Sequence, residues 1–273
     1  MSGYISGDEL ERISVQDYAA YDAAASDTNW RLPAGYGALV TGSLPPGAQV
    51  HLGTPVQAVR LETPGVVVHT TKGALRARAI IVTVSTNVLS GDSISWPVEL
   101  SPWREAAADL PLGNDEKLYF EILGEGPFEV ETYYPGDLRD PASGAFYIRP
   151  QGKPVVECFL GGAGARRAST EGAEAAFARA MDQLRAIYGS DVQRHLKPLI
   201  ASNWTTTAEI GGGYSHALPG KAEARRALAQ PFDDRVFFAG EATHRDDFST
   251  AHGALLSGLR AGAEVLAASA MEA

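Results

Sequence analysis

The chain has 273 residues and a formal net charge of −10. That acidity disfavours nucleic acid or an anionic membrane as the main partner. A single cysteine, Cys158, excludes an internal disulfide, and the length allows one large domain or two intertwined ones.

The N-terminal 28 residues read as helical, with Leu10, Ile13, Tyr18 and Tyr21 recurring at roughly helical spacing. No charged-then-apolar signal opens the chain and no apolar run approaches ~18 residues, which predicts a cytoplasmic protein with no membrane span. Next, "RLPAGYGALV" places Tyr36 between two glycines. Val66–Thr71 alternates in β-branched residues, Lys72-Gly73 reads as a turn, and Ile80–Val84 is a continuous apolar run. Together they predict a hairpin leading into a buried strand.

"LSPWREAAADLPLGNDEKLYFEI" places a short helix before a strand, and residues 117–160 alternate strand-like runs with Gly/Pro turns. A mostly antiparallel sheet is expected there, with Cys158 buried in one strand as a small hydrophobe. Thr170–Gly189 reads as a helix capped by Ser169 or Thr170 and stopped by Gly189.

The C-terminal part returns to strand, loop and helix in "VFFAGEATHRDDFSTAHGALLSG". Gly240 ends a short apolar strand, and Glu241 projects at its carboxyl end, where open α/β sheets hold ligands. A helix follows from about Ala251, with Thr250 and Ala251 at its positive end. Gly253, Ser257 and Ala261 form a small-residue stripe along it, which fits either a ligand or tight packing. His244, Asp246, Asp247 and His252 match no familiar metal-ligand spacing and read as a solvated loop.

The same stretch resembles the C-terminal signature of the flavin-containing amine oxidase family, which includes monoamine oxidases, polyamine oxidases and lysine-specific histone demethylases. Further segments resemble the family in order: "RLPAGYGALV", "TPVQAV", "AIIVTVSTNVL", "LPLGNDEKLYFEI" and "NWTTTAEIGGGYSHALPG". The resemblance implies noncovalent FAD. Glu241 would meet the ribityl hydroxyls or their neighbours, and Thr250 and Ala251 the pyrimidine edge. Val56 would lie against the adenine, with Thr83 and Gly240 also contacting the cofactor. Lys117 would hold a water at flavin N5, Trp204 would pack beside the ring, and Tyr214 would form one wall of the substrate cage. The opposite wall maps to Thr250, which leaves one aromatic wall.

The family's G-x-G-x-x-G is not found in this sequence. Gly35-Tyr36-Gly37 is followed by Val40 at the last glycine position, Gly162-Ala163-Gly164 by Arg167, and Gly124-Glu125-Gly126 by Glu129. The expected fold is therefore α/β (α+β), with an incomplete FAD-binding lobe from 30–92 and 202–273. A substrate lobe of mixed sheet and helices spans 93–201, and a helical segment at 1–29 borders it. The implied activity is amine oxidation by hydride transfer to flavin N5, with oxygen reoxidation to hydrogen peroxide. FAD is expected to bind this chain weakly or not at all unless a Rossmann-bearing polypeptide complements it, and self-association is the other way to cover its exposed apolar face. The alternatives are a non-catalytic regulatory fragment of the same fold, or part of an L-amino-acid oxidase or flavin desaturase.

Overall fold

A computed structural model describes residues 2–26, 28, 30–137 and 139–271. The helices are α1 (Ser2–Ile5), α2 (Val15–Ala24), α3 (Tyr36–Gly42), α4 (Thr86–Ser90), α5 (Ser101–Ala108), α6 (Ala163–Glu171), α7 (Ala173–Tyr188), α8 (Ala224–Leu228) and α9 (Ala251–Met271). The strands are β1 (Val56–Leu61), β2 (Val66–Thr70), β3 (Gly73–Ala77), β4 (Ile80–Val82), β5 (Asp115–Ile122), β6 (Thr132–Tyr134), β7 (Ala145–Ile148), β8 (Val155–Gly161), β9 (Leu196–Ala201) and β10 (Val236–Phe238). The fold is mixed α/β.

Five strands form an antiparallel sheet in the order β6-β7-β8-β5-β9. Side chains on a strand alternate between faces, and β5 obeys this: Leu118 and Phe120 are fully buried, whereas Lys117 and Tyr119 are half-buried on the other side. The buried face joins Ile148, Val156 and Cys158 to Ala176, Ala180 and Leu184 of α7 in one core. Each large aliphatic or aromatic side chain so buried stabilises by about 1.5–3 kcal/mol.

The sequence between 170 and 189 folds differently from expectation. The chain is already helical from Ala163, and Ser169 and Thr170 lie inside α6, with the Thr170 hydroxyl donating to the Arg166 carbonyl oxygen at 2.9 Å. Gly172, at φ 89°, breaks the helix, and α7 starts without a side-chain cap. A left-handed backbone favours glycine over any residue with a Cβ, so Gly172 decides the boundary. In the N-terminal segment, α2 is capped by Ser14, whose Oγ accepts from the Asp17 N–H at 3.3 Å.

A second core gathers Val82 of β4, Phe238 of β10, Leu100, Ala107 and Leu110 around α5, and Leu228 of α8. The strands β4 and β10 pair in parallel, and β1–β3 form a separate antiparallel sheet. Helix α9 packs Ala261 on Phe237 and Ala239. Its outer side leaves Leu255, Leu259 and Leu266 exposed by 64%, 63% and 73%, an apolar stripe without cover among the described residues.

Candidate active site

The carboxyl ends of β4 and β10 open into a cleft of about 280 Å³ lined by Thr83, Thr86, Leu89, Phe238, Gly240 and Glu241. Gly240 sits at φ 132°, and a Cβ built there would meet nothing within 4 Å, so its backbone faces open space. The Thr86 hydroxyl is buried without a hydrogen-bond partner. A buried polar atom left unpaired is destabilising, so the cleft keeps one unsatisfied hydroxyl, beside the apolar side chains of Leu89 and Phe238.

Glu241 is held rigidly. Its Oε1 accepts from the Ser215 N–H at 3.0 Å, and its Oε2 accepts from the Ser215 hydroxyl at 2.9 Å and the Ser249 N–H at 2.7 Å. Behind it lies a buried ion pair. Arg225 Nε donates to Asp17 Oδ1 at 2.6 Å and its Nη2 to Oδ2 at 2.8 Å, with Asp17 4% and Arg225 2% exposed. The remaining guanidinium protons reach Ser215 Oγ at 2.9 Å, the Ala242 carbonyl at 3.3 Å and the Ser215 carbonyl at 3.3 Å. All five donors of the guanidinium are therefore satisfied. The Arg225 plane also lies 3.5 Å from the Phe248 ring centroid. This polar knot ties α2 to α8 and to both loops that grip Glu241.

At the start of α9, the Thr250 hydroxyl accepts from the Gly253 N–H at 3.0 Å and caps the helix. The small-residue stripe packs inward. A Cβ on Gly253 would lie 1.9 Å from the Asp247 carbonyl oxygen, and the buried Ser257 hydroxyl accepts from the Gly240 N–H at 2.9 Å. Close helix–strand packing accounts for the stripe. Among the described residues, no group of three His, Cys, Asp or Glu side chains is placed to hold a metal.

The structure brings Thr83, Gly240 and Glu241 together in this cleft. Thr250 instead borders a smaller hollow with Tyr21, Asp247 and His252, and Ala251 is exposed beside it. Val56 opens β1, opposite Thr70. Trp204 is 48% exposed, and its backbone N–H donates to Glu116 Oε2 at 3.2 Å. Tyr214 is half-buried, and its hydroxyl donates to the Tyr4 carbonyl oxygen at 2.6 Å. Beside it, Asp115 is buried with neither carboxyl oxygen hydrogen-bonded. Burial pushes that carboxyl up to about 8.

Lys117 lies in a second, larger cleft of about 630 Å³ on the outer face of the five-stranded sheet. It forms an ion pair with Glu157 and stands 5.4 Å from the Phe159 ring centroid. Tyr119 is next along the face, its hydroxyl pushed up to about 12, first by burial and then by Glu157. Trp30, Leu32, Tyr36 and Leu39 close the other side. Asp17, Arg225, Ser215 and Glu157 are the residues that sequence reasoning missed. Asp17 and Arg225 lie 208 positions apart, and no local pattern marks a pair at that range.

The site thus consists of a parallel strand pair, β4 and β10, with Glu241 locked at its carboxyl end, and an antiparallel sheet that carries Lys117. The chain matches the family described as "Flavin containing amine oxidoreductase" over residues 16–266 and belongs to it. Among curated proteins it is 29% identical over 251 residues to lysine-specific histone demethylase 1 homolog 2 of Arabidopsis thaliana, covering 87% of this chain and 32% of that protein. It is 28% identical over 267 residues to polyamine oxidase 2 of the same plant, covering 92% of this chain and 53% of that one. The chain thus spans about a third to a half of these two relatives. Among solved structures, cyclohexylamine oxidase from Brevibacterium oxydans IH-35A shares the fold, with a TM-score of 0.60 and 21% identity, covering 80% of this chain and 49% of that one. No helix among the described residues is long and apolar enough to cross a membrane.

Proposed function

We propose that this chain forms the ring-side and substrate-side part of an FAD-dependent amine oxidase. The observation that carries the reading is the locked Glu241 beside Gly240, at the mouth of an apolar cleft. Its 280 Å³ lies at the lower edge of ordinary ligand pockets of roughly 300–1,000 Å³. A space of that size fits a flat ring system and not a whole dinucleotide. When bound, FAD supplies acceptance of a hydride equivalent from the carbon beside the amine nitrogen and return of the electrons to oxygen as peroxide.

The chain's own residues would orient and exclude. Glu241 Oε1, with one hydrogen bond made, keeps acceptor capacity for a ribityl hydroxyl. The unpaired Thr86 hydroxyl offers a polar contact to a ring edge, and Leu89 and Phe238 keep water from it. Thr250 and Ala251 stand at the positive end of α9, suited to negative charge. Thr83 and Val56 remain assigned to the cofactor, Lys117 to a water at flavin N5, Trp204 to the flank of the ring and Tyr214 to one wall of the substrate cage. The 30–92 and 202–273 segments make the cofactor lobe, 93–201 the substrate lobe, and 1–29 their helical border.

The sequence has no G-x-G-x-x-G, so the diphosphate grip is assigned to a Rossmann-bearing polypeptide, whether continuous with this sequence or separate. The exposed Leu255, Leu259 and Leu266 suit such a contact or self-association. The same missing motif favours a second reading, a non-catalytic module of this fold. The cytoplasm is assigned from the single, buried, free Cys158.

The test is gel filtration of the chain with FAD, with and without a Rossmann-bearing polypeptide, followed by visible absorbance and peroxide release from amines. Flavin retained with the complementing polypeptide, together with amine-dependent peroxide, is the expected result. Flavin retained without any turnover selects the non-catalytic reading, and no flavin in either sample refutes the cofactor site.

A further inference from the structure

Asp115, the first residue of β5, is a buried acid that the proposed function does not use. It is 6% exposed, and neither carboxyl oxygen has a hydrogen-bond partner among the described residues. An ionised carboxylate buried without donors is far costlier than a neutral one, so the group keeps its proton. Burial pushes it up to about 8, the Tyr214 hydroxyl pulls the other way, Glu116 adds to the rise and Lys117 opposes it.

Two segments close over this carboxyl. On one side is a strap formed by residues 2–9. A Cβ on Gly7 would collide with Asp115 Oδ2, so the strap backbone rests directly on the acid, at a left-handed φ of 65° that suits glycine. On the other side is the loop of Tyr214, where a Cβ on Gly213 would stand 2.7 Å from the same oxygen. The Tyr214 hydroxyl donates to the Tyr4 carbonyl oxygen of the strap at 2.6 Å, and the Asn114 N–H donates to the Gly7 carbonyl oxygen at 2.8 Å. Burial first, and then Asp115, raises the Tyr214 hydroxyl well above its ordinary value, so it stays protonated and has one proton to donate. The other charges of the strap face elsewhere. Asp8 and Glu9 both pair with Arg166, and His216, 3.8 Å from Asp8, is held below its ordinary value by burial.

We propose that Asp115 is a positioning residue for Tyr214, and that the proton on its carboxyl latches the strap to that side chain. With the proton present, Asp115 donates to the Tyr214 oxygen and the Tyr214 hydroxyl donates to the Tyr4 carbonyl oxygen, two hydrogen bonds running in one direction. When the proton leaves to solvent, the Tyr214 hydroxyl turns to the new carboxylate, because a hydrogen bond to an ion is the stronger one. The Tyr4 carbonyl then loses its donor, and the strap lifts. The latch needs no cofactor. Its consequence for an amine rests on the assignment of Tyr214 to the cage wall.

The test is hydrogen exchange of the chain without flavin, read at the Asn114 amide and over residues 2–9 and corrected for intrinsic exchange. The scan runs from about pH 5 to about pH 9, which brackets release of the Asp115 proton near 8. The latched form binds a proton that the open form, at an ordinary value of about 3.9, has released. Opening therefore becomes easier as pH rises, and the effect levels off above about 8. Protection should fall by up to about tenfold per pH unit below that point. Asp115→Asn, whose amide donates at every pH, should hold protection flat. Tyr214→Phe, which lacks the relay, should show weaker protection at every pH. A flat wild-type profile, a slope that survives Asp115→Asn, or Tyr214→Phe protection equal to the wild type overturns the proposal, whether or not the chain retains FAD.

Discussion

Replacing Asp17 by asparagine tests the polar knot directly. The change keeps the shape of the side chain but removes the charge that balances Arg225, which is 2% exposed. The amide offers one acceptor oxygen where the carboxylate offers two, so at least one of the 2.6 and 2.8 Å bonds is lost. The Ala217 N–H, which Asp17 also accepts at 2.9 Å, competes for the oxygen that remains. Breaking one partner of a buried pair costs about 3–5 kcal/mol, because the other charge stays buried and uncompensated. In a chain of this size each kcal/mol moves the melting temperature by roughly 2–4 °C, so the expected fall is about 6–20 °C. Differential scanning calorimetry of the wild type, Asp17→Asn, Arg225→Met and the double variant gives the coupling. The double variant should lose less stability than the two single losses added together, since it leaves no unpaired charge. A loss under about 1 kcal/mol for Asp17→Asn, a value ordinary for a solvated pair, would show that the knot is open to water and refute the reasoning.

Asp115→Asn should alter the pH dependence of stability. The folded carboxyl holds its proton up to about 8, whereas the unfolded one releases it near the ordinary value of about 3.9. Between these values the folded state binds more protons, so wild-type stability falls as pH rises through this window. Asparagine should match the wild type near the lower end and exceed it near the upper end in denaturant titrations. Gly253→Ala would place a Cβ 1.9 Å from the Asp247 carbonyl oxygen and should cost about 3 kcal/mol, the upper range for overpacking, read as a lower urea midpoint. Cys158 is fully buried and its thiol is pushed far up by that burial, so a thiol reagent at neutral pH should label it only after denaturant is added.

The parts of this fold that are legible in the sequence are those whose pattern is local. The apolar run at Ile80, the alternation around Leu118 and Phe120, and the Gly-Glu step at 240 and 241 each announce themselves within a few residues. The start of α7 is not legible in this way, because Ser169 and Thr170 satisfy the capping preference, and only the φ of Gly172 shows that they lie inside an earlier helix. The small-residue stripe of α9 is visible as a spacing. Its occupant, the Asp247 carbonyl and the end of β10, is not. Arg225 and Asp17 look like ordinary surface charges in the sequence, since burial is set by tertiary packing that no short window contains. Lys117 stands out within a motif, but its Glu157 partner depends on the register of β5 against β8.

The span of 208 residues between Asp17 and Arg225 also bears on how the protein is made. Ribosomes add roughly 5–20 residues per second, so Asp17 is added some 10–40 s before its guanidinium partner exists. During that interval Asp17 is solvated and the helix has no anchor. The two ends of the knot can meet only after the five-stranded sheet between them has been synthesised. The locking of Glu241 is therefore a late event of biogenesis, and a nascent chain stalled before residue 225 would carry β4 and Ser215 but neither Arg225 nor the β10 strand and Glu241 that the knot orders.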